Sequence, residues 1–294
     1  MRKRQQGVAL ILVLWVTLLM SVIAASFALS ARTESVQSAM LFGSTQARFY
    51  AEAGLHRAVF ELRNPDLETR WIADGRSYEV GLDDVLIDIS ITDESGKIDI
   101  NRATEDMLIG LFMSAGKTDI ESLAIVDKIL DWRDADEEVR LEGAEDEDYI
   151  SAGYAYGAKD DQFDTVTELQ QVMDIDYELF RRVEPAITVY SGRPQINPAF
   201  APKEALLAME GMTPELVQEY IDLRQTITDI NEPLPELIAG QPGQLRGGGT
   251  TFSLVVKATL PNGQWSSLDA TIRMGGTISG RPFRIIRWRD NEHT

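Results

Sequence analysis

Between Asp131 and Asp164, thirteen acidic side chains stand against three basic ones, Arg133, Arg140 and Lys159, for a local charge of −10. So much like charge repels itself unless water or a cation answers it. Counted from Asp134, the run DADEEVRLEGAE sets Asp136 at the third position, Glu138 at the fifth, the Arg140 carbonyl at the seventh, Glu142 at the ninth and Glu145 at the twelfth. Those are the ligand positions of a calcium loop that comes after a helix. The sixth position is Val139, where such loops use glycine for a sharp turn, which puts an EF-hand path in doubt. Hard oxygen donors, in a chain with no cysteine and only His56 and His293, favour calcium over a transition metal. A solvated acidic surface is the competing reading of the same residues.

Other chemistry is thinly represented. The sequence has no nucleophile elbow, no phosphate loop and no zinc helix with two histidines. The glycine run GQPGQLRGGG at 240–249 lacks the strand-turn-helix setting of a dinucleotide site and reads as a flexible connection. Carboxylates abundant enough for a glycosidase-like pair are concentrated in the one calcium-like run, so the chain reads as non-enzymatic.

These residues belong to a chain of 294 residues, 44% hydrophobic and 26% charged, a globular balance with room for one large domain or two. The net charge of −19 repels phosphate backbones and anionic head groups, so polyanions are poor candidate partners. The lack of cysteine excludes disulfides and thiolate metal sites and is compatible with cytoplasm or periplasm.

The N-terminus decides more. The leader MRKRQQG carries Arg2, Lys3 and Arg4, and 24 uncharged residues run from Val8 to Ala31. As a helix these span roughly 36 Å, enough for a hydrocarbon layer of about 30 Å. The basic cluster holds the N-terminus in the cytoplasm and sends the chain beyond Arg32 across the membrane. A cleaved signal peptide, with Ala24, Ala25 and Ser26 before Phe27, and a plain anchor both fit hydropathy.

A short basic leader ending in Gly7, directly before an apolar helix, resembles the type IV prepilin class. In that class a membrane peptidase cuts after the glycine and methylates the new terminal residue, here Val8, and loss of the three leader charges would take the net charge from −19 to −22. Most members have glutamate at the fifth mature position, where it is thought to pair with the terminal amine of a neighbouring subunit. Leu12 stands there, which fits a subunit at a filament tip. GVALILVLWV, the absent glutamate and the unusual length together resemble the K minor pseudopilins of type II secretion, the general secretion pathway protein K family.

That resemblance implies a non-enzymatic subunit that caps the pseudopilus and helps initiate it with I and J minor pseudopilins, for protein export across the outer membrane. It implies a single-pass inner-membrane protein with a periplasmic globular part, processed by prepilin peptidase. Partner contacts would come from the apolar helix face, with Leu12, Val16 and Leu19. It also implies a pair of structural calcium ions, since the segment DWRDADEE…GAEDEDY at 131–149 matches the family's motif region. Asp134, Asp136, Glu145 and Asp146 are the first candidate ligands, and Asp131, Glu138, Asp148, Asp161 and Asp164 are further ones.

The expected fold is α+β, a pilin-like long N-terminal helix packed on an antiparallel sheet with a large inserted all-α domain. After the leader at 1–7 and the span at 8–31, the helix continues to Arg63, with Ala47, Ala51, Gly54 and Ala58 permitting close approach to a sheet and Asn64-Pro65 ending it. Strands are expected at Ser77–Leu82, Leu86–Thr92 and Phe252–Leu260, then in QWSSLDATIRM and at Arg281–Arg289. The pilin-like unit thus takes 32–95 and 245–294, and 96–244 is helical and acidic, with no persuasive strand pairs. Within it GKIDINRATEDMLIGLF at 96–112 and RPQINPAFAPKEALLAM at 193–209 echo one another, each opening a helix-hairpin-helix-like unit, with Gly211 at one hairpin. Such units bind nucleic acid in other proteins. Here Glu210 and Glu215 flank the turn, so a compact scaffold is favoured and no nucleic acid is expected, a membrane-tethered DNA-binding protein being the alternative.

Overall fold

A computed structural model describes residues 8–238, 241–242, 248–275 and 280–292; the leader, Gly7 and His293 lie outside them. Helix α1 runs unbroken over Val8–Leu62, a rod of roughly 83 Å. It contains no proline and ends just before Asn64-Pro65. Its first half is uncovered. From Gly43 onward one face is buried through Ala47, Ala51, Leu55, Ala58 and Val59. Gly54 is where the helix touches the sheet, because a Cβ there would stand 2.6 Å from Val256 and 2.7 Å from Ile87.

The sheet comprises β1 (Asp74–Leu82), β2 (Val85–Asp93), β7 (Thr251–Thr259), β8 (Trp265–Met274) and β9 (Phe283–Glu292), in the order β1-β2-β7-β8-β9 and antiparallel throughout. Alternation sends Ile87, Ile89 and Ile91, Leu254, Val256 and Ala258, and Leu268, Ala270 and Ile272 to the face that α1 covers. Each large aliphatic side chain buried in this way contributes about 1.5–3 kcal/mol. Strand β1 starts at Asp74 rather than Ser77, with a register shift between these residues, and β9 covers Phe283–Glu292 rather than Arg281–Arg289.

β2 and β7 are hydrogen-bonded neighbours, yet everything between Asp93 and Thr251 intervenes in sequence. The insertion therefore replaces a hairpin turn. It holds α2 (Glu105–Ser114), α3 (Asp119–Arg133), α4 (Asp146–Ser151), α5 (Tyr177–Val183), α6 (Lys203–Leu207) and α7 (Pro214–Thr226) around a core of its own, which includes Phe112, Trp132, Tyr149 and Phe180. It is not purely helical. The two-residue strands β3 (Ile98–Asp99) and β4 (Ile187–Thr188) pair in parallel, and β5 (Glu236–Ile238) pairs with β6 (Gln241–Pro242).

Both halves of the internal echo open helix hairpins built alike. Between α2 and α3, Gly116 has φ of +95° and Thr118 caps α3 by accepting from Glu121 N. Between α6 and α7, Gly211 has φ of +77° and Thr213 caps α7 by accepting from Leu216 N. Glycine supplies the left-handed turn, and threonine then satisfies a free amide of the next helix.

Buried acids staple the insertion to the sheet. Asp93 accepts from Ser95 N at 2.8 Å and Gly249 N at 2.7 Å, joining the two chain crossings. Glu94 accepts from Lys97 at 2.7 Å, from Ser253 at 2.6 Å and from Thr188. Asp74 on β1 takes both Nε and Nη2 of Arg76, at 2.8 and 2.9 Å, and lies 3.5 Å from Nε of Arg224 on α7. Arg224 is 2% exposed and donates to the carbonyls of Pro198 and Ala201 at 2.9 Å each.

Candidate cation site and partner helix

Helix α3 forms where the capping box of Thr118 and Glu121 starts it, and it ends at Arg133, with Asp134 as its C-cap. Arg133 donates to the carbonyls of Ile100 and Ala103, which fixes this end against the first echo segment. Residues 134–145 form an irregular loop that leads into α4. Helix, acidic loop and helix therefore occur in the expected order, but the loop wraps around a residue that precedes it. Asp131, fully buried, accepts at Oδ2 from Arg140 N at 3.2 Å and Ala144 N at 3.0 Å. Gly143 is required there, since a Cβ would reach 1.8 Å from that oxygen. Lys128 donates to the Glu142 carbonyl at 2.7 Å and Asp127 accepts from Glu142 N at 3.1 Å, fixing the loop's far side.

Trp132, on the last turn of α3, is the centre of an aromatic cluster. Trp132 lies 5.6 Å from Tyr149 and 6.2 Å from both Tyr156 and Phe163, between ring centroids. Asp131 and Glu145 are themselves buried, at 0% and 4% exposed, so their carboxylates are shielded from water. Oδ1 of Asp131, Oδ1 of Asp134, both oxygens of Glu145 and Oδ1 of Asp160 are buried without a hydrogen-bond partner among the described residues. Such groups are costly unless something answers them. Burial first, then the charges of Asp131, Asp160, Asp134 and Glu137, push the Glu145 carboxyl up to about 7. Burial also raises Asp131 and Asp160 above the usual carboxylate range. A guanidinium gives a partial answer: Nε of Arg140 lies 3.1 Å from Asp131 Oδ1, and its Nη2 lies 3.5 Å from Asp134 Oδ2.

The donors fit a hard divalent cation, being carboxylate oxygens with unfilled acceptor capacity around a point already attracting positive charge. Among the described residues no three carboxylates stand close enough together to chelate a metal as they are. An ion would have to draw them inward and displace the Arg140 side chain, which is 42% exposed and free to swing outward.

Of the sequence candidates, Asp131, Asp134 and Glu145 face this point. Asp146 sits at the start of α4 against Gly157, whose Cβ would meet its Oδ1 at 1.7 Å. Asp136 accepts from Glu138 N, Asp148 from Glu145 N, Asp161 from Gln162 N and Asp164 from Lys159, while Glu138 is exposed. Asp160, outside the expected ligand set, adds its charge at Glu145. Its φ of +55° turns the chain back toward Glu145, and nothing in residue type distinguishes it from Asp161.

The second candidate surface is α1. Residues Val8 to Phe42 are exposed throughout, with Leu12 at 61%, Val16 at 46% and Leu19 at 61%. It is the one helix among the described residues long and apolar enough to cross a membrane. Where the helix meets the sheet, Phe42, Phe49 and Phe60 remain 73%, 63% and 66% exposed. Their spacings of 7 and 11 put them in one line, on the side away from Ala47, Ala51 and Ala58.

A family model described as "Type II secretion system (T2SS), protein K" matches residues 86–194. The type II secretion system protein K of Klebsiella pneumoniae is 26% identical over 64% of this chain, and the match spans 63% of that protein's length. That of Pseudomonas aeruginosa is 26% identical over 94% of this chain and 90% of its own. A chain of the crystal structure of the GspK-GspI-GspJ complex from enterotoxigenic Escherichia coli superposes with a TM-score of 0.60 at 17% identity, covering 89% of this chain and all of that one. Helix, sheet and insertion are therefore a known arrangement, and this chain is similar in sequence and in fold to type II secretion system K proteins.

Proposed function

We propose that the chain is a minor pseudopilin at the tip of a type II secretion pseudopilus, where it caps the filament and helps initiate it for protein export. The observation that carries this reading is the helical insertion in place of the β2–β7 turn, held to the sheet by Arg224 and Asp74. A subunit widened in this way has no room above it for another. The uncovered half of α1 supplies the contact below, and Leu12 leaves it without the buried acid that would need a neighbour's amine.

In this reading prepilin peptidase removes residues 1–7 and methylates Val8. The N-terminus is cytoplasmic, the span crosses the inner membrane once, and the globular part is periplasmic. I and J minor pseudopilins are the partners along α1, through Leu12, Val16 and Leu19. The role is structural, with no catalysis. Calcium, bound through Asp131, Asp134, Glu145 and Asp160, would neutralise the loop and tie α3 to α4. The nucleic-acid reading has no observation in its favour.

Intact mass of the membrane-extracted protein tests the assignment. With an active prepilin peptidase the expected mass lacks residues 1–7 and carries one methyl group; a mass beginning at Met1 or near Phe27 would refute processing of the pilin type. Leu12→Glu or Val16→Asp should cut co-purification of I and J at least several-fold, and undiminished recovery would remove these residues from the contact.

A further inference from the structure

Four of the nine methionines gather in one place. An open trough of about 860 Å³ runs between the two helix hairpins, with Met107 and Met113 on the α2 side and Met209 and Met212 on the turn between α6 and α7. Its floor is where the hairpins touch, since a Cβ on Gly110 would stand 2.1 Å from the carbonyl oxygen of Ala208. Helix α2 is apolar on both sides. Leu108, Leu111 and Phe112 enter the core, while Ile109 and Met113 face the trough, Met113 being 47% exposed.

The rim is acidic. Asp106, Asp119 and Glu210 line it, and among the described residues no lysine or arginine does. Methionine is unbranched and polarisable, so a wall of it adapts to whichever apolar side chains arrive. The walls here are helices and the turn between two of them, with no strand among the described lining residues, so an extended peptide would find no sheet edge to pair with. An occupant must satisfy its own backbone, present apolar side chains to the methionines and carry positive charge beside them.

The geometry points to a docking groove for a basic amphipathic helix of a partner protein. This goes beyond the tip assignment, because the groove lies on the insertion and does not involve α1. Apolar anchors of the incoming helix seat between Met113 and Met212, and its lysines or arginines meet Asp106, Asp119 and Glu210, which steer the encounter and set the helix direction.

Methyl NMR tests it on the full chain in phosphatidylcholine nanodiscs, with 13C-methyl methionine assigned by single Met→Leu changes. The probe is an 18-residue leucine/lysine amphipathic helix, set against a scrambled peptide of the same composition. The expected result is shifts at Met107, Met113, Met209 and Met212 with Met173 and Met274 still, affinity at least tenfold lower for the scrambled peptide, and a similar loss in the exposed double variant Asp106→Lys/Glu210→Lys. Equal binding of the scrambled peptide, retained affinity in the double variant, or shifts spread to Met173 and Met274 would reduce the effect to general attraction by an acidic protein and overturn the proposal. So would an absence of shifts at millimolar peptide.

Discussion

Two groups of buried acids sit in this molecule under opposite conditions. At the junction of sheet and insertion, Asp74, Asp93 and Glu94 are each filled by arginine, amide or hydroxyl donors of the chain itself. Around the loop after α3, Asp131 on the helix's last turn is only half filled and Glu145 has no hydrogen-bond donor at either oxygen among the described residues. A carboxylate that its own chain satisfies is a structural staple, and the junction needs nothing from outside to be complete. A carboxylate left open in a shielded place is stable only with a proton or a cation, so the loop's energetics depend on what the surroundings supply.

The largest effect should come from breaking a staple. Arg224→Met leaves Asp74 buried with only Arg76, and loss of one partner of a buried pair costs about 3–5 kcal/mol. Thermal unfolding of the full chain in detergent should show a fall of many degrees, with the sheet's unfolding no longer coincident with that of the insertion. An unchanged melting curve would mean that the junction rests on packing alone.

Next is the open group. Calcium at a hundredfold excess over its dissociation constant should stabilise the folded chain by about 2.7 kcal/mol, and chelation should remove this. In the chelated protein Glu145 holds its proton more tightly folded than unfolded, so stability should fall as pH rises from about 4.5 to about 7 and then level off. Glu145→Gln should abolish the calcium effect and flatten that pH slope, leaving the part that Asp131 and Asp160 carry, while the Arg224 variant keeps both in full. A calcium response that survives in Glu145→Gln would place the ion elsewhere.

The smallest effect belongs to a group that neither staples nor waits. Thr118→Ala removes an exposed cap at the start of α3 and should cost about 1 kcal/mol. The cost should be equal with and without calcium. Dependence on calcium would mean that the helix start and the loop are coupled along α3.

Legibility in the sequence tracked the range of the interactions. α1, β2, β7 and β8 were readable because burial on one face imposes a period of 3.6 or 2 on neighbouring residues. Edge strand β9 lies two to three residues beyond its expected bounds, since an edge has one strand neighbour and its pattern of burial is weaker. β3 and β4 leave no mark in the sequence, because two residues hold no period and their pairing joins Ile98 to Ile187. The second hairpin announced itself through Gly211, and its twin at Gly116 became visible only when both carried a left-handed turn and then a threonine cap.

The acidic run itself was plain in the sequence, as were its likeness to a calcium loop and its position after a helix. Spacing by itself determined the membrane-length helix, the sheet strands and the concentration of charge, because these depend on residues a few positions apart. Only the tertiary structure decided which acids matter. Asp131 and Glu145 matter because packing buries both and leaves oxygens on each without a hydrogen-bond donor among the described residues, and Asp160, at a left-handed turn, adds its charge to theirs. Asp74 is saturated because Arg224 arrives from α7, far along the chain. A carboxylate's state is set by its neighbours in space, and those are known only once distant segments have packed.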